Sequence, residues 1–163
     1  MICEECGAQM TSARESFPYR SGGLPNVLLV NIRVDRCPAC GAYEVELPAI
    51  QQLHKALAHF MLQKRERLHQ DELRFLRKYL GFSLEDLAPY LEVSPEQIAQ
   101  WEEGTSPILP LQEKFLRALV AIREPVDSYP FQLWREVAQQ EPSTLRTHAR
   151  FDENNHWRAV SAA

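Results

Sequence analysis

The sequence predicts an α+β fold, with a small N-terminal ribbon of short antiparallel strands followed by an all-α bundle built on a helix-turn-helix. Three observations predict it. All four cysteines lie in the first 40 residues as two C-x2-C pairs, Cys3/Cys6 and Cys37/Cys40. Between them Val30, Ile32 and Val34 alternate with Asn31, Arg33 and Asp35, the period of a half-buried strand. From Pro48 the apolar spacing changes to three and four residues, with cap residues punctuating it. On this reading residues 1–47 form the ribbon and 48–70 a linker helix. Residues 71–124 form the helix-turn-helix domain, and 125–163 a C-terminal extension with a short helix and a polar tail.

Composition narrows the classes. The 163 residues are 45% apolar and 25% charged, as in ordinary globular proteins, and 11 prolines against 6 glycines point to several interrupted elements. No apolar run approaches the roughly 20 residues needed to cross a bilayer, and the N-terminus lacks a basic region followed by an apolar core. A cytoplasmic protein with no membrane partner is expected. The formal charge is -4, so bulk electrostatics attract neither nucleic acid nor an anionic surface, and any DNA contact must come from a local patch.

In a reducing compartment two C-x2-C pairs are better explained by a metal than by disulfides, because two hairpins that each present two thiolates close a tetrahedron around one soft cation. Gly7 and Gly41 follow the pairs, where a residue without a Cβ lets the chain turn back and its N–H groups face the sulfurs. Cys3, Cys6, Cys37 and Cys40 are therefore the expected ligands of one structural Zn2+ per chain. Four thiolates leave no open position for water or substrate. Tyr43 to Leu47 supplies a neighbouring strand, and metal binding explains how about 45 residues fold with so little apolar material. Iron is the alternative, since Cys37-Pro38-Ala39-Cys40-Gly41 also resembles one knuckle of a rubredoxin.

Pro48 suits the first turn of a helix whose apolar stripe is Ile50, Leu53, Leu57, Phe60 and Met61; that stripe packs on the ribbon or on a second copy. A second helix runs from Asp71 through Leu73, Leu76 and Leu80 to a Gly81 cap. Ser83 caps a third, with Asp86 three residues on and Leu84, Leu87, Ala88 and Leu91 inward. After a tight turn at Glu92 and Val93, Ser94 caps a fourth, with Pro95 at its first position, Gln97 completing a capping box, and Ile98 and Trp101 inward. A helix from about Leu111 to Ile122 closes the bundle.

Cys3–Gly7, the stretch Ser21-Gly22-Gly23-Leu24-Pro25-Asn26-Val27 and Cys37–Gly41 together resemble a YgiT-type zinc finger, and residues 71–120 resemble a lambda-repressor-like (Xre) helix-turn-helix. The combination, over roughly residues 1–122, is similar to the MqsA-type antitoxins and related transcriptional regulators. The resemblance implies a homodimer that binds a palindromic double-stranded DNA operator, and a toxin protein as partner. It also implies that Glu96 and Gln100 read base edges, with Ser94 and Gln97 at phosphate; Gln100 suits adenine and Glu96 suits cytosine N4.

Three departures qualify it. Glu92 fills the turn position usually held by glycine, at roughly 1 kcal/mol if left-handed. Pro89 falls six residues into the third helix and should kink or shorten it. Between Lys78 and Lys114 there is no Lys, Arg or His but seven acids: Glu85, Asp86, Glu92, Glu96, Glu102, Glu103 and Glu113. Phosphate neutralisation would then rest on Lys64, Arg65, Arg67, Arg74, Arg77 and Lys78 before the motif and on Lys114, Arg117 and Arg123 after it. The alternative function is a zinc-stabilised protein-interaction module whose helix-turn-helix does not read DNA. His54, His59 and His69 read as solvated. No nucleophile–base pair, phosphate loop or open metal site is present, so no enzyme is expected. In the extension, Phe131–Ala138 is a helix candidate, and Trp134 and Trp157 are docking candidates.

Overall fold

The computed structural model describes residues 1–20, 22–123 and 147–161. Its elements in chain order are β1 (Thr11–Pro18), β2 (Val27–Arg36), β3 (Tyr43–Glu46), α1 (Ile50–Gln63), α2 (Gln70–Leu80), α3 (Leu84–Leu91), α4 (Pro95–Glu103), α5 (Pro110–Arg123), β4 (Thr147–Phe151) and β5 (Trp157–Ser161). The α+β class and the N-terminal strands are as the sequence implies. No helix among the described residues is long and apolar enough to cross a membrane.

The sheet corrects the expectation of a self-contained antiparallel ribbon. β1 runs antiparallel along β2, whose other edge is shared: Arg33–Arg36 pair with β3, and Val27–Val30 pair in parallel with β4. β5 returns antiparallel on β4. Residues 147–161, expected to be a polar tail, are thus two strands of a five-stranded mixed sheet. The Phe131–Ala138 candidate and Trp134 lie outside the described residues. Trp157 docks within the chain, its indole N–H donating to the Pro48 carbonyl at 2.8 Å.

The alternation in β2 also needs correction. Leu29 and Val27 face the core before Asn31, Ile32 and Val34 after it, because two residues of β2 oppose one of β1 between the pairs Phe17–Leu29 and Glu15–Ile32. Asn31 sits at φ 61°, and this bulge shifts the buried phase by one residue. Val30 is half-buried on the other phase.

Sheet and helices share one core, from Leu29, Ile32 and Val34 through Leu53, Leu57 and Met61 of α1 to Leu76, Leu87, Ile98, Trp101 and Leu116. The α1 stripe is therefore mostly consumed inside the chain, although Ile50 stays 44% exposed. Caps set the helix boundaries. Gly81 closes α2 at φ 79°, Ser83 and Asp86 form a reciprocal box on α3, and Ser94 accepts from the Gln97 N–H at 3.2 Å. The α4 box is incomplete, since the Gln97 amide donates to Ser106 Oγ at 3.2 Å instead of returning to Ser94. α3 is eight residues long with Pro89 inside, and Glu92 adopts the left-handed conformation at φ 54°.

Candidate metal centre and candidate nucleic-acid interface

Sheet register assembles the four cysteines. Thr11 pairs with Arg36, so the segment before β1 and the segment after β2 emerge side by side. The two are copies of one turn. Cys3 N–H donates to Ala8 O and Gly7 N–H to Cys3 O, and the second turn repeats this with Cys37 to Ala42 and Gly41 to Cys37. Gly7 and Gly41 both lie near φ +75°, at 73° and 77°, where a Cβ would be strained.

All four sulfurs lie within 4.8 Å of one another, with Cys3–Cys40 at 3.6 Å and Cys6–Cys37 at 3.4 Å. A tetrahedral ion with metal–sulfur bonds of about 2.3 Å requires sulfur separations of about 3.8 Å, whereas a disulfide requires about 2.05 Å. The spacing fits a metal ion. Cys40 and Ala39 N–H groups favour the Cys37 thiolate and bring its pKa down to about 6 against the opposing effect of burial. The Ala42 N–H favours the Cys40 thiolate, but the neighbouring thiols outweigh it and hold Cys40 up to about 12. Four thiolates this close repel one another unless a cation sits among them. Cys3, Cys6, Cys37 and Cys40 can hold one, and four sulfurs would fill a tetrahedral shell.

On the helical side, α3 and α4 are joined by Glu92, Val93 and Ser94. Ile98 and Trp101 are buried, which leaves Ser94, Glu96 and Gln100 exposed along one side of α4. Gln97 is half-buried and occupied by Ser106 and Gln100.

The supply of phosphate-neutralising cations is smaller than the sequence suggested. Arg77 is held by Glu102 of α4 through two bonds of 2.6 and 2.8 Å and also donates to the Phe82 carbonyl, so it ties α2 to α4. Arg74 remains partly exposed, while one of its nitrogens donates to the Glu102 carbonyl at 2.6 Å. Lys64 pairs with Glu72, and Arg67 and Arg117 converge on Glu113, all in the interior. Arg77, Lys64, Arg67 and Arg117 are thus structural, because a buried guanidinium or ammonium must keep its carboxylate or carbonyl partners. Lys78 and Arg65 stay exposed.

The three histidines are half-buried, so the expectation of solvated side chains holds only in part. His54 bonds the Tyr19 hydroxyl at 2.8 Å, and burial lowers its pKa. His69 caps α2. The roles of Glu102, Glu113 and Arg117 were missed; the one available signal was the i, i+4 spacing of Glu113 and Arg117. Comparison with family models, with curated proteins and with solved structures gave no match to this chain.

Proposed function

We propose that this protein is a zinc-stabilised, sequence-specific DNA-binding regulator of the YgiT/Xre type, acting in the cytoplasm as a homodimer, with the antitoxin role as its specific form. One observation carries the reading. Two short, serine-capped helices meet through a three-residue turn, with Ile98 and Trp101 inward and Glu96 and Gln100 outward, the layout by which a recognition helix enters the major groove. Zinc is preferred to iron because the sulfurs brace two turns beside a sheet edge, a structural task that needs no redox chemistry. A closed four-sulfur shell has no position for substrate, in keeping with a binding role. Since the α1 stripe is buried, the dimer surface falls to α5, where Leu111 is 71% and Ile122 72% exposed.

A second reading has its own observation. Glu102 and Glu113 are neutralised internally, but Glu85, Asp86, Glu92, Glu96 and Glu103 remain exposed on α3, α4 and their turn. Such a face suits a basic protein surface, as an interaction module or toxin binder requires. Glu96→Gln and Gln100→Ala distinguish the two. If α4 reads bases, Gln100→Ala costs about 1–3 kcal/mol at one base position, and Glu96→Gln loses affinity for the preferred duplex selectively. If Glu96 only repels phosphate, its substitution tightens binding to every duplex alike.

A further inference from the structure

A cavity of about 540 Å³ lies between Tyr19, Arg20, Gly22 and Gly23 on one side and α1 and α2 on the other. Its size is that of a small-molecule site. It shares no lining residue with the cysteine cluster or with the exposed side of α4. Two properties set it apart from the rest of the surface.

The first is its charge. Arg20, Arg74 and Lys78 line it against the single acid Asp71, a local excess of positive charge on a chain whose formal charge is -4. Arg20 and Lys78 are exposed and form no ion pair among the described residues. Arg74 is held by the Glu102 carbonyl at 2.6 Å and lies 3.5 Å from the Glu102 carboxylate, so its orientation is set and its charge partly offset beforehand. Asp71 faces the Arg74 guanidinium at 4.0 Å, which leaves it as an acceptor for a hydroxyl or amine more than as a repelling charge.

The second is its aromatic wall. Tyr19, His54, Phe75 and Tyr79 follow one another around the cavity, with centroids 6.2 Å apart for Tyr19–His54, 5.5 Å for His54–Phe75 and 6.1 Å for Phe75–Tyr79. The Tyr19–His54 hydrogen bond pins two of these rings. Gly22 packs its backbone on Tyr19 so closely that a Cβ there would stand 2.2 Å from the ring. Burial favours neutral His54, so that ring offers an apolar face. Rings held by their neighbours lose little freedom when a planar ligand stacks on them.

We infer that this cavity binds a small anionic ligand of nucleotide type, with its planar ring against the aromatic wall and its phosphate on Arg20, Arg74 and Lys78. The exposed Arg20 suits a phosphate's paired oxygens, and Arg74 and Lys78 add positive charge. Such a ligand would bridge the sheet's β1–β2 turn and α2, and so brace the helix that holds α4 through Arg77 and Glu102.

Titration calorimetry on the metal-loaded chain tests this with four probes: adenosine 5′-monophosphate, adenosine, inorganic phosphate and a random-sequence DNA duplex. The expected result is saturable binding of the monophosphate with Kd below about 1 mM, and binding of each part about tenfold weaker or more. The Arg20→Ala/Lys78→Ala double variant should lose about tenfold or more in affinity. Ile50→Trp, which keeps every charge and fills the mouth, should abolish binding. Circular dichroism confirms that both variants fold. Four results overturn the proposal: no saturable binding, phosphate alone binding as well as the monophosphate, variants that bind like wild type, or a double variant that loses only duplex-DNA affinity. The last would make the patch a DNA-backbone contact.

Discussion

Arg117 offers the sharpest test of how the fold uses its charges, since the sequence places it among phosphate contacts and the structure places it in the core. It is 1% exposed. Its guanidinium donates to the carbonyls of Met61 at 2.8 Å, Leu62 at 3.3 Å, Lys64 at 3.1 Å and Glu66 at 2.9 Å, and to Glu113 at 3.0 Å. It therefore caps the C-terminal end of α1 and the following turn from α5. Arg117→Met keeps most of the apolar stem but strands those carbonyls. Glu113 retains Arg67 and the Leu68 N–H, so its own charge stays compensated. Removing one partner from a buried charged network costs about 3–5 kcal/mol, and the surviving partners of Glu113 favour the lower end. For a chain of this size each kcal/mol lowers Tm by about 2–4 °C, so a fall of roughly 10 °C is expected. Thermal melting followed by circular dichroism measures that fall and urea denaturation the free-energy loss, with exposed Arg65→Met as a control expected to stay within about 0.5 kcal/mol. A loss under about 1 kcal/mol for Arg117→Met would refute the capping role.

Glu92→Gly should stabilise the chain by roughly 1 kcal/mol, since Glu92 is left-handed at φ 54° and puts a carboxylate at the C-terminal end of α3; a lower Tm would contradict this. Stability should also fall as pH drops below His54's ordinary value of 6.5. Burial lowers the folded pKa, so between that lower value and 6.5 the unfolded chain binds more protons, and the stability present above 6.5 is lost progressively. His54→Gln, which does not titrate, should flatten that part of the pH profile; an unchanged slope would show that His54 is not its source. Stripping the metal with a chelator should release one zinc per chain and expose amides of residues 1–10 and 37–42 to hydrogen exchange, whereas unchanged protection would show that the cysteines brace nothing.

Features that depend on near neighbours in the sequence were legible in it. The cysteine pairs with their glycines, the Ser83 and Ser94 caps, the Gly81 terminus and the inward Ile98 and Trp101 all follow from short-range spacing. The parallel pairing of β4 with β2 was not legible, because its partners lie more than 100 residues apart and β4 is a five-residue strand that carries His148 and Arg150. One residue inserted at the Asn31 bulge was enough to misplace Val30. Arg77 and Arg117 were read as surface cations because a charge normally is one. Their structural roles are visible only once Glu102 of α4 reaches Arg77 and the carbonyls of Met61, Leu62, Lys64 and Glu66 converge on Arg117.

We propose that α4 reads duplex DNA despite an acidic surround. Selection from a pool of random duplexes at low salt, with the metal-loaded full-length chain, tests it most directly. Enrichment of a palindrome with half-sites about one helical turn apart is expected, because a symmetric pair of α4 helices would meet the groove at that spacing. Recovery of no preferred sequence would contradict it and leave the acidic face of α3 and α4 as a surface for binding protein.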